Sequence, residues 1–296
     1  MTFRSFGDIV DQPTERPPSL VGGGLLDVGA KVIIGGPEKA GKSLLATQLA
    51  VCLASGQNWL GFKVYQAVPV LYIQLEISQY RLEERLIRQA GEHGSNIKEM
   101  LYSYTDFGFD LVSTTNQTKL FSLLHRSKAK VLILDPLYFL HNLDPNSEPD
   151  MAQLTRKLNN LLNYVEGLVV VAHHSKDTQD LRARRPGQRI SGSAVLTRWP
   201  DSIITLESRN PNIEARLSFT LRNAEPPNTM TLRLDSNWRF REEYIHVDND
   251  GTTADQYAEE VEITVSQARK LLSKHVKDGR LTQVESAGVT KYFQRE

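Results

Sequence analysis

The chain has 296 residues, of which 40% are hydrophobic and 24% charged, enough to bury the core of one large domain and one small one. Its 35 lysines and arginines balance 35 acids, so any case for binding nucleic acid must come from local patches. The single cysteine, Cys52, excludes an internal disulfide and a thiolate metal cluster. With no signal-like N-terminus and no run approaching ~18 apolar residues, we expect a cytoplasmic protein without a membrane span.

A polar, proline-bearing stretch at 1–20 predicts an extended arm, and the chain from 21 to 244 then alternates between apolar runs and amphipathic segments. This alternation is typical of an α/β domain whose mostly parallel sheet is covered by helices on both faces. The predicted parallel strands are 31–34, 68–75, 100–104, 129–135 and 168–174. The predicted helices follow 43 and 78 and include 120–125 and 151–165. Alternating strands at 202–206, 216–221 and 229–234 predict an antiparallel extension.

The segment 36–43 reads GPEKAGKS and fits the phosphate-loop pattern G-x-x-x-x-G-K-[ST], with a strand before it and a helix after it. Its glycines let backbone N–H groups face a polyphosphate, and the helix N-terminus adds partial positive charge. Lys42 would reach the β- and γ-phosphates, and Ser43 would ligate Mg²⁺. The predicted nucleotide-binding residues are Gly36, Pro37, Glu38, Lys39, Ala40, Gly41, Lys42, Ser43 and Leu44.

Acids and histidines stand where the predicted strands end. Asp135 closes an apolar strand and suits the second acid of a phosphate-loop enzyme, which holds Mg²⁺. Glu76 follows the next strand after the phosphate loop, where an acid can act as general base on the attacking water. His173 and His174 end a third strand, where a polar side chain can contact the γ-phosphate. A core histidine is one alternative, and a metal pair is disfavoured because neighbouring strand residues point to opposite faces.

These strand ends, in this order, resemble those of the RecA-like ATPases, and above all the RepA-type replicative helicases of plasmids and phages. The stretches that carry the resemblance are 35–50, 71–78, 83–86, 131–136, 169–176 and 191–203. The resemblance implies that ATP binds with Mg²⁺ between the subunits of a ring, usually a hexamer. It also implies the following roles: phosphate and metal binding by Lys42 and Ser43, catalysis by Glu76, metal binding by Asp135 and γ-phosphate sensing by His174.

The resemblance further implies that a neighbouring subunit supplies a cation to the γ-phosphate. In the family this residue is an arginine close to the Gly-Ser box, which lies here at 192–193. The position directly before the box is Ser191, so Arg189 is one candidate for this role. Arg222 is another, because it resembles a basic position that the family directs at the nucleotide across the interface.

The segment 175–191 carries five basic residues against two acids and has no aromatic residue. In a RecA-like ring this loop would face the central channel, where cations suit the backbone of single-stranded DNA. A solvated loop with no ligand is the alternative. The residues predicted to bind DNA here are Lys176, Arg182, Arg184 and Arg185.

A polar linker at 245–252 leads to a C-terminal module at 253–296 that resembles a winged helix. Helices at 254–261 and 267–277, the second capped by Ser266, precede a hairpin around 287–288. The second helix presents Arg269, Lys270 and Lys274, which is typical of a recognition helix. Over the module seven bases balance seven acids, so docking to a protein is the alternative to DNA.

Together these features predict an ATP-dependent DNA motor, a ring-forming helicase of RepA type in plasmid or phage replication. Its expected partners are DNA, further copies of the chain, and a replication initiator or primase. One alternative is a DNA-binding regulator that ATP switches without unwinding, favoured by Ser191 and the winged helix. A recombinase-like filament is the other.

Overall fold

The computed structural model describes residues 3–174, 194–210, 214–242, 247–248, 250–260, 264–277, 281–286 and 288–294. The chain divides into two compact units, Met1–Glu242 and Glu243–Glu296, and each is considered by itself. The division lies two residues before 244, the predicted end of the α/β domain. In the parts of the chain so described, no helix combines the length and the apolar character needed to cross a membrane.

The described helices of the first unit are α1 (Phe6–Asp11), α2 (Lys42–Ser55), α3 (Gln79–Ala90), α4 (Thr114–Ser127), α5 (Glu148–Leu161) and α6 (Ala194–Arg198). Short 3-10 helices lie at Gly91–Ile97 and Leu137–Phe139. The described strands are β1 (Ser19–Val21), β2 (Leu26–Asp27), β3 (Ala30–Gly36), β4 (Val70–Gln74), β5 (Leu101–Thr105), β6 (Val131–Asp135), β7 (Gly167–His173), β8 (Ser202–Asn210), β9 (Glu214–Leu221), β10 (Met230–Leu234) and β11 (Phe240–Glu242).

Nine of the described strands form one sheet in the order β11-β10-β9-β8-β3-β7-β6-β4-β5. The six strands from β8 to β5 in this order are parallel, and β9, β10 and β11 extend the sheet in antiparallel fashion. This confirms the predicted α/β class, with a mostly parallel sheet and an antiparallel extension. The small strands β1 and β2 pair separately.

The predicted orientation of the strand at 202–206 is wrong, because β8 runs parallel to β3. The polar residues Ser202 and Thr205 within this run suggested a strand that is not buried on both faces. Both polar residues are buried, however, and the strand from 202 to 206 is covered on both faces like its parallel neighbours. The edge strand β11 was not predicted.

Successive residues of the central strands enter two separate cores, as the period of two in a strand requires. Val32 and Ile34 pack with α2 and α3 on one face, whereas Ile33 packs with α4 and α5 on the other. Each fully buried Val, Leu or Ile side chain stabilises the fold by roughly 1.5–3 kcal/mol. Helix α2 lies deep in the first core, and 11 of its 14 residues are buried. The phosphate-loop helix is therefore held rigidly.

The N-terminal arm is not extended throughout, because residues 6–11 form α1. Ser5 caps this helix: its hydroxyl accepts the Asp8 N–H at 3.1 Å, and the Asp8 carboxylate accepts the Ser5 N–H at 2.9 Å. This reciprocal pair is a capping box, formed here with aspartate in place of glutamate. Overall polarity suggested an extended arm and concealed this local signal.

The second unit contains β12 (Thr252–Thr253), α7 (Ala254–Glu260), α8 (Val265–Lys277), β13 (Leu281–Ser286) and β14 (Val289–Gln294). Strands β13 and β14 form the predicted hairpin, and β12 pairs with β14. The predicted cap Ser266 is wrong: Thr264 exchanges hydrogen bonds with Gln267 at the start of α8. The unit thus has two helices before a hairpin among its described residues, and its assignment as a winged helix stays a prediction.

Candidate functional site

The phosphate loop connects the end of β3 to the start of α2, and both of its pattern glycines are required by the backbone. A Cβ atom on Gly36 would lie 2.1 Å from the carbonyl oxygen of Leu206, which no side chain tolerates. Gly41 caps α2 with φ 94°, in the left-handed region that favours glycine. Close strand packing and the turn into the helix thus select glycine at these two positions.

Lys42, the first residue of α2, is only 5% exposed. Its Nζ donates to the carbonyl oxygen of Pro37 at 2.7 Å and lies 3.3 Å from Nδ1 of His173. Burial lowers the pKa of Lys42 to about 8, although the carboxylates of Asp135, Glu76 and Glu38 oppose this shift. The ammonium group is therefore poorly solvated, which favours contact with an anionic ligand.

Asp135 ends β6 and is 1% exposed, so its carboxylate is held inside the protein. One oxygen, Oδ2, accepts hydrogen bonds from the Tyr72 hydroxyl at 2.6 Å and the Gln74 amide at 3.2 Å. The other, Oδ1, has no hydrogen-bond partner among the residues that the structure describes. Burial raises the pKa of Asp135, while the Tyr72 hydrogen bond, the nearby Ser43 hydroxyl and the charges of Arg85 and Lys42 lower it.

These groups fit a bound Mg²⁺ ion. Magnesium takes oxygen ligands, generally one or two from the protein together with phosphate oxygens and water. The buried Oδ1 of Asp135 is a carboxylate oxygen with coordination capacity left, and the Ser43 hydroxyl lies close enough to affect the pKa of Asp135. Ser43 and Asp135, the two predicted metal residues, are thus brought together at the start of α2.

Glu76 lies two residues beyond β4 and is exposed. Its backbone N–H donates to Oε1 of Gln74 at 2.9 Å. Its negative charge opposes part of the lowering of the pKa values of Lys42 and His173. The predicted base therefore lies at the same end of the parallel strands as the phosphate-binding lysine. Its side chain is exposed to water.

The two histidines separate as neighbouring strand residues must. His173 pairs in register with Gly36 and brings its ring to Lys42, whereas the backbone N–H of His174 donates to the Gly36 carbonyl oxygen at 3.0 Å. Burial lowers the pKa of His173, and the Lys42 charge lowers it further. The His173 ring thus lies at the phosphate-loop lysine, and the sensor role of His174 stays a prediction.

Arg222 follows β9 at the end of the sheet opposite to the phosphate loop. It pairs with Asp201 at 3.6 Å and donates to the carbonyl oxygen of Arg198. Leu221 is in register with Ser202, and Ser202 with Val32, four residues or ~13 Å before Gly36 along β3. Arg222 therefore does not belong to the phosphate site of its own chain, and its role at a neighbour's site stays a prediction.

The other predicted residues belong either to the second unit or to segments outside the described residues. Arg269 and Lys270 are exposed on α8 of the second unit, opposite buried Ala268 and Leu272. Lys274 is also on α8, but its side chain lies outside what the structure describes. The remaining positions, outside the described residues, are Lys176, Arg182, Arg184, Arg185 and Arg189.

Sequence reasoning missed Tyr72 and Gln74, which hold Asp135. A signal was available, since Gln74 is a polar residue in a strand that is otherwise apolar, and buried polar groups have partners. His173 was missed as the neighbour of Lys42 because the choice between the two histidines depends on strand register, which the sequence alone does not reveal.

Comparison with known proteins agrees with this geometry. A family model described as an AAA domain matches residues 2–180, more than half of the chain. Among solved structures, a KaiC-like protein of the archaeon Pyrococcus horikoshii is 14% identical and superposes with a TM-score of 0.53. The match covers 76% of this chain and 94% of that one, so the two share a fold. The chain belongs to the AAA-domain family, and its phosphate-loop pattern at 36–43 lies within the matched residues.

Proposed function

We propose that this protein is an ATP- and Mg²⁺-dependent DNA motor, a ring-forming helicase of the RepA type. The observation that carries the ATPase part is the meeting of Lys42, Asp135 and Glu76 at one end of the sheet. The helicase part rests on the RepA-like strand ends and on the basic segment at 175–191.

In the proposed reaction Lys42 binds the β- and γ-phosphates, because its poorly solvated ammonium gains most from an anionic partner. Ser43 and Asp135 would hold Mg²⁺, which would supply positive charge to neutralise that of the phosphates. Glu76 accepts a proton from water as the water oxygen bonds to the γ-phosphorus. The bond from this phosphorus to the bridging oxygen breaks, and ADP and phosphate leave.

Beside the predicted His174, we propose His173 as a candidate for the γ-phosphate sensor. It contacts Lys42 at 3.3 Å and lies two residues before the basic segment, so a change at the phosphates has a short covalent path to it. The lowered pKa keeps the ring neutral near pH 7, and a neutral imidazole can both donate and accept a hydrogen bond.

The ring and its ligands complete the proposal. Six copies would place Arg189 or Arg222 of one subunit at the nucleotide of the next. Arg222 suits this role because it lies at the end of the strands away from its own phosphate loop. Single-stranded DNA would contact Lys176, Arg182, Arg184 and Arg185, and a replication initiator or primase would recruit the ring.

A second candidate, a DNA-binding regulator that ATP switches, is favoured by the exposed Arg269 and Lys270 on α8. Such a protein would bind duplex DNA through this unit and assemble on ATP without unwinding. Ser191, directly before the Gly-Ser box, also favours slow turnover.

The test is the steady-state ATPase rate with and without single-stranded DNA, together with displacement of an annealed strand. The comparison variant changes Arg182, Arg184 and Arg185 to Ala. A motor predicts stimulation of turnover by DNA, strand displacement, and loss of both in the variant. An ATPase rate that does not change with DNA, together with no strand displacement, would contradict the helicase proposal and favour the DNA-binding regulator.

A further inference from the structure

Gln74, the last residue of β4, is a glutamine that is only 1% exposed and lies between the two acids of the site. Its neighbour across the sheet is Asp135, the residue in register with it on β6. Glu76 follows it by two residues. A buried amide at this position is costly unless its polar atoms are bonded, and here both are.

The amide oxygen of Gln74 bonds the backbone at Glu76, and its amide nitrogen bonds the carboxylate of Asp135. Oε1 accepts the Glu76 N–H at 2.9 Å and the Leu75 N–H at 2.7 Å. Nε2 donates to Oδ2 of Asp135 at 3.2 Å. The Leu75 N–H also donates to the backbone carbonyl oxygen of Asp135 at 2.8 Å, whereas the Glu76 N–H reaches Gln74.

Tyr72 provides a second, independent contact to Asp135. It lies on the same face of β4 as Gln74, and its fully buried hydroxyl donates to the same carboxylate oxygen at 2.6 Å. Two donors therefore occupy Oδ2, while Oδ1 has no hydrogen-bond partner among the described residues. Tyr72 and Gln74 thus fix the carboxylate through Oδ2, and Oδ1 keeps its capacity to coordinate a ligand.

We propose that Gln74 is a positioning residue that couples the metal-binding acid Asp135 to the general base Glu76. One rigid amide fixes the orientation of the Asp135 carboxylate and the backbone from which Glu76 projects. A displacement of one acid is thereby transmitted to the other. This inference rests on the proposed ATPase chemistry. It adds an explanation of how Asp135 and Glu76 keep a constant position relative to each other.

The first test compares Gln74→Met with Gln48→Met. Gln48 is a matched control: it is buried in α2, makes two 2.8 Å hydrogen bonds to the backbone of Phe240, and has no part in the proposed chemistry. We expect Gln74→Met to lower kcat by about 10- to 100-fold, as losses of such supporting contacts do. The Kd for a fluorescent ATP analogue should change little because Lys42 is intact. Gln48→Met should lower thermal stability and leave kcat within about two-fold.

A double-mutant cycle separates positioning of Glu76 from a general loss of rigidity. In a Glu76→Gln background, the slow residual hydrolysis measured over a long single turnover should respond to Gln74→Met far less than wild-type hydrolysis does, because the base that Gln74 positions is gone. Tyr72→Phe, which removes only the other donor to Asp135, should chiefly raise the Mg²⁺ concentration for half-maximal rate. An equal effect of Gln74→Met in both backgrounds would overturn the coupling.

A readout that does not depend on activity is the exchange of two backbone amide protons, followed by NMR after selective ¹⁵N labelling of Leu and Glu. In the wild type both the Leu75 and the Glu76 amides should be protected. Gln74→Met should accelerate Glu76 exchange and leave Leu75 protected by the Asp135 carbonyl. Fast Glu76 exchange in the wild type would contradict the positioning role even if a variant failed to fold. A wild type with no ATPase activity but a protected Glu76 amide would instead contradict the proposed function.

Discussion

The charged side chains at the two ends of the parallel strands differ in how far they are paired with opposite charges. At the end that carries the phosphate loop, the Lys42 ammonium contacts a carbonyl oxygen and an imidazole, and no acid of the described chain lies within 4 Å of it. At the other end, Asp201 pairs with Lys31 at 2.8 Å and Arg222 at 3.6 Å. Charges that neutralise one another there stabilise the fold, whereas incompletely satisfied charges at the loop remain able to bind a ligand.

The largest expected effect comes from removing the lysine at each end in turn. Lys42→Ala should abolish ATP hydrolysis, since it removes the cation at the β- and γ-phosphates. Lys31→Ala should leave turnover unchanged and lower the free energy of unfolding by ~1–3 kcal/mol, because the half-buried Asp201 loses a charged hydrogen bond. Steady-state ATPase rates and urea denaturation of both variants give the two quantities. Loss of turnover in Lys31→Ala with an intact fold would contradict the assignment of a structural role to one end of the strands and a ligand-binding role to the other.

A smaller effect is expected from pH on nucleotide affinity. The pKa of Lys42 is lowered to about 8, so above pH 8 the free protein increasingly loses this proton and must regain it to bind an anion. Affinity for a fluorescent ATP analogue should therefore fall as pH rises, by up to about 10-fold per unit above 8. Titrations between pH 7 and 9.5 measure this dependence. A flat affinity over this range would show that Lys42 stays protonated in the free protein.

The smallest effect concerns His173, whose pKa is lowered from its ordinary value of 6.5 by burial and by Lys42. The unfolded chain then binds a proton more readily than the folded one. The free energy of unfolding gained from His173 is present above pH 6.5 and is lost as pH falls towards its folded pKa. His173→Asn should make stability less dependent on pH between about 7.5 and 5.5, as urea denaturation at several pH values would show. His125→Asn, on the last turn of α4, is a control without this contact.

Local patterns predicted the parts of this site that lie close together in sequence. The phosphate loop was recognisable because Gly36 and Gly41 flank a fixed number of residues and Lys42 follows directly. The apolar runs likewise predicted the central strands, since buried parallel strands are apolar throughout. The winged-helix assignment and the DNA-binding residues stay predictions.

The remaining features depend on contacts between segments distant in sequence. Asp135 was recognisable as an acid at a strand end, but its two donors lie more than sixty residues earlier on β4. The choice of His173 over His174 required the register of β7 against β3. The orientation of β8 depended on its burial between β3 and β9, which its polar residues concealed. Sheet register and burial are properties of the folded chain.

The central claim is that the phosphate-loop end of the sheet is a hydrolytic site with Glu76 as its base. The most direct test is to measure ATP binding and hydrolysis by Glu76→Gln, which keeps the size of the side chain and removes its charge. The account predicts that the variant binds a fluorescent ATP analogue with an affinity like that of the wild type while turnover stops. Hydrolysis at the normal rate by this variant would contradict the account, because another group would then activate the water.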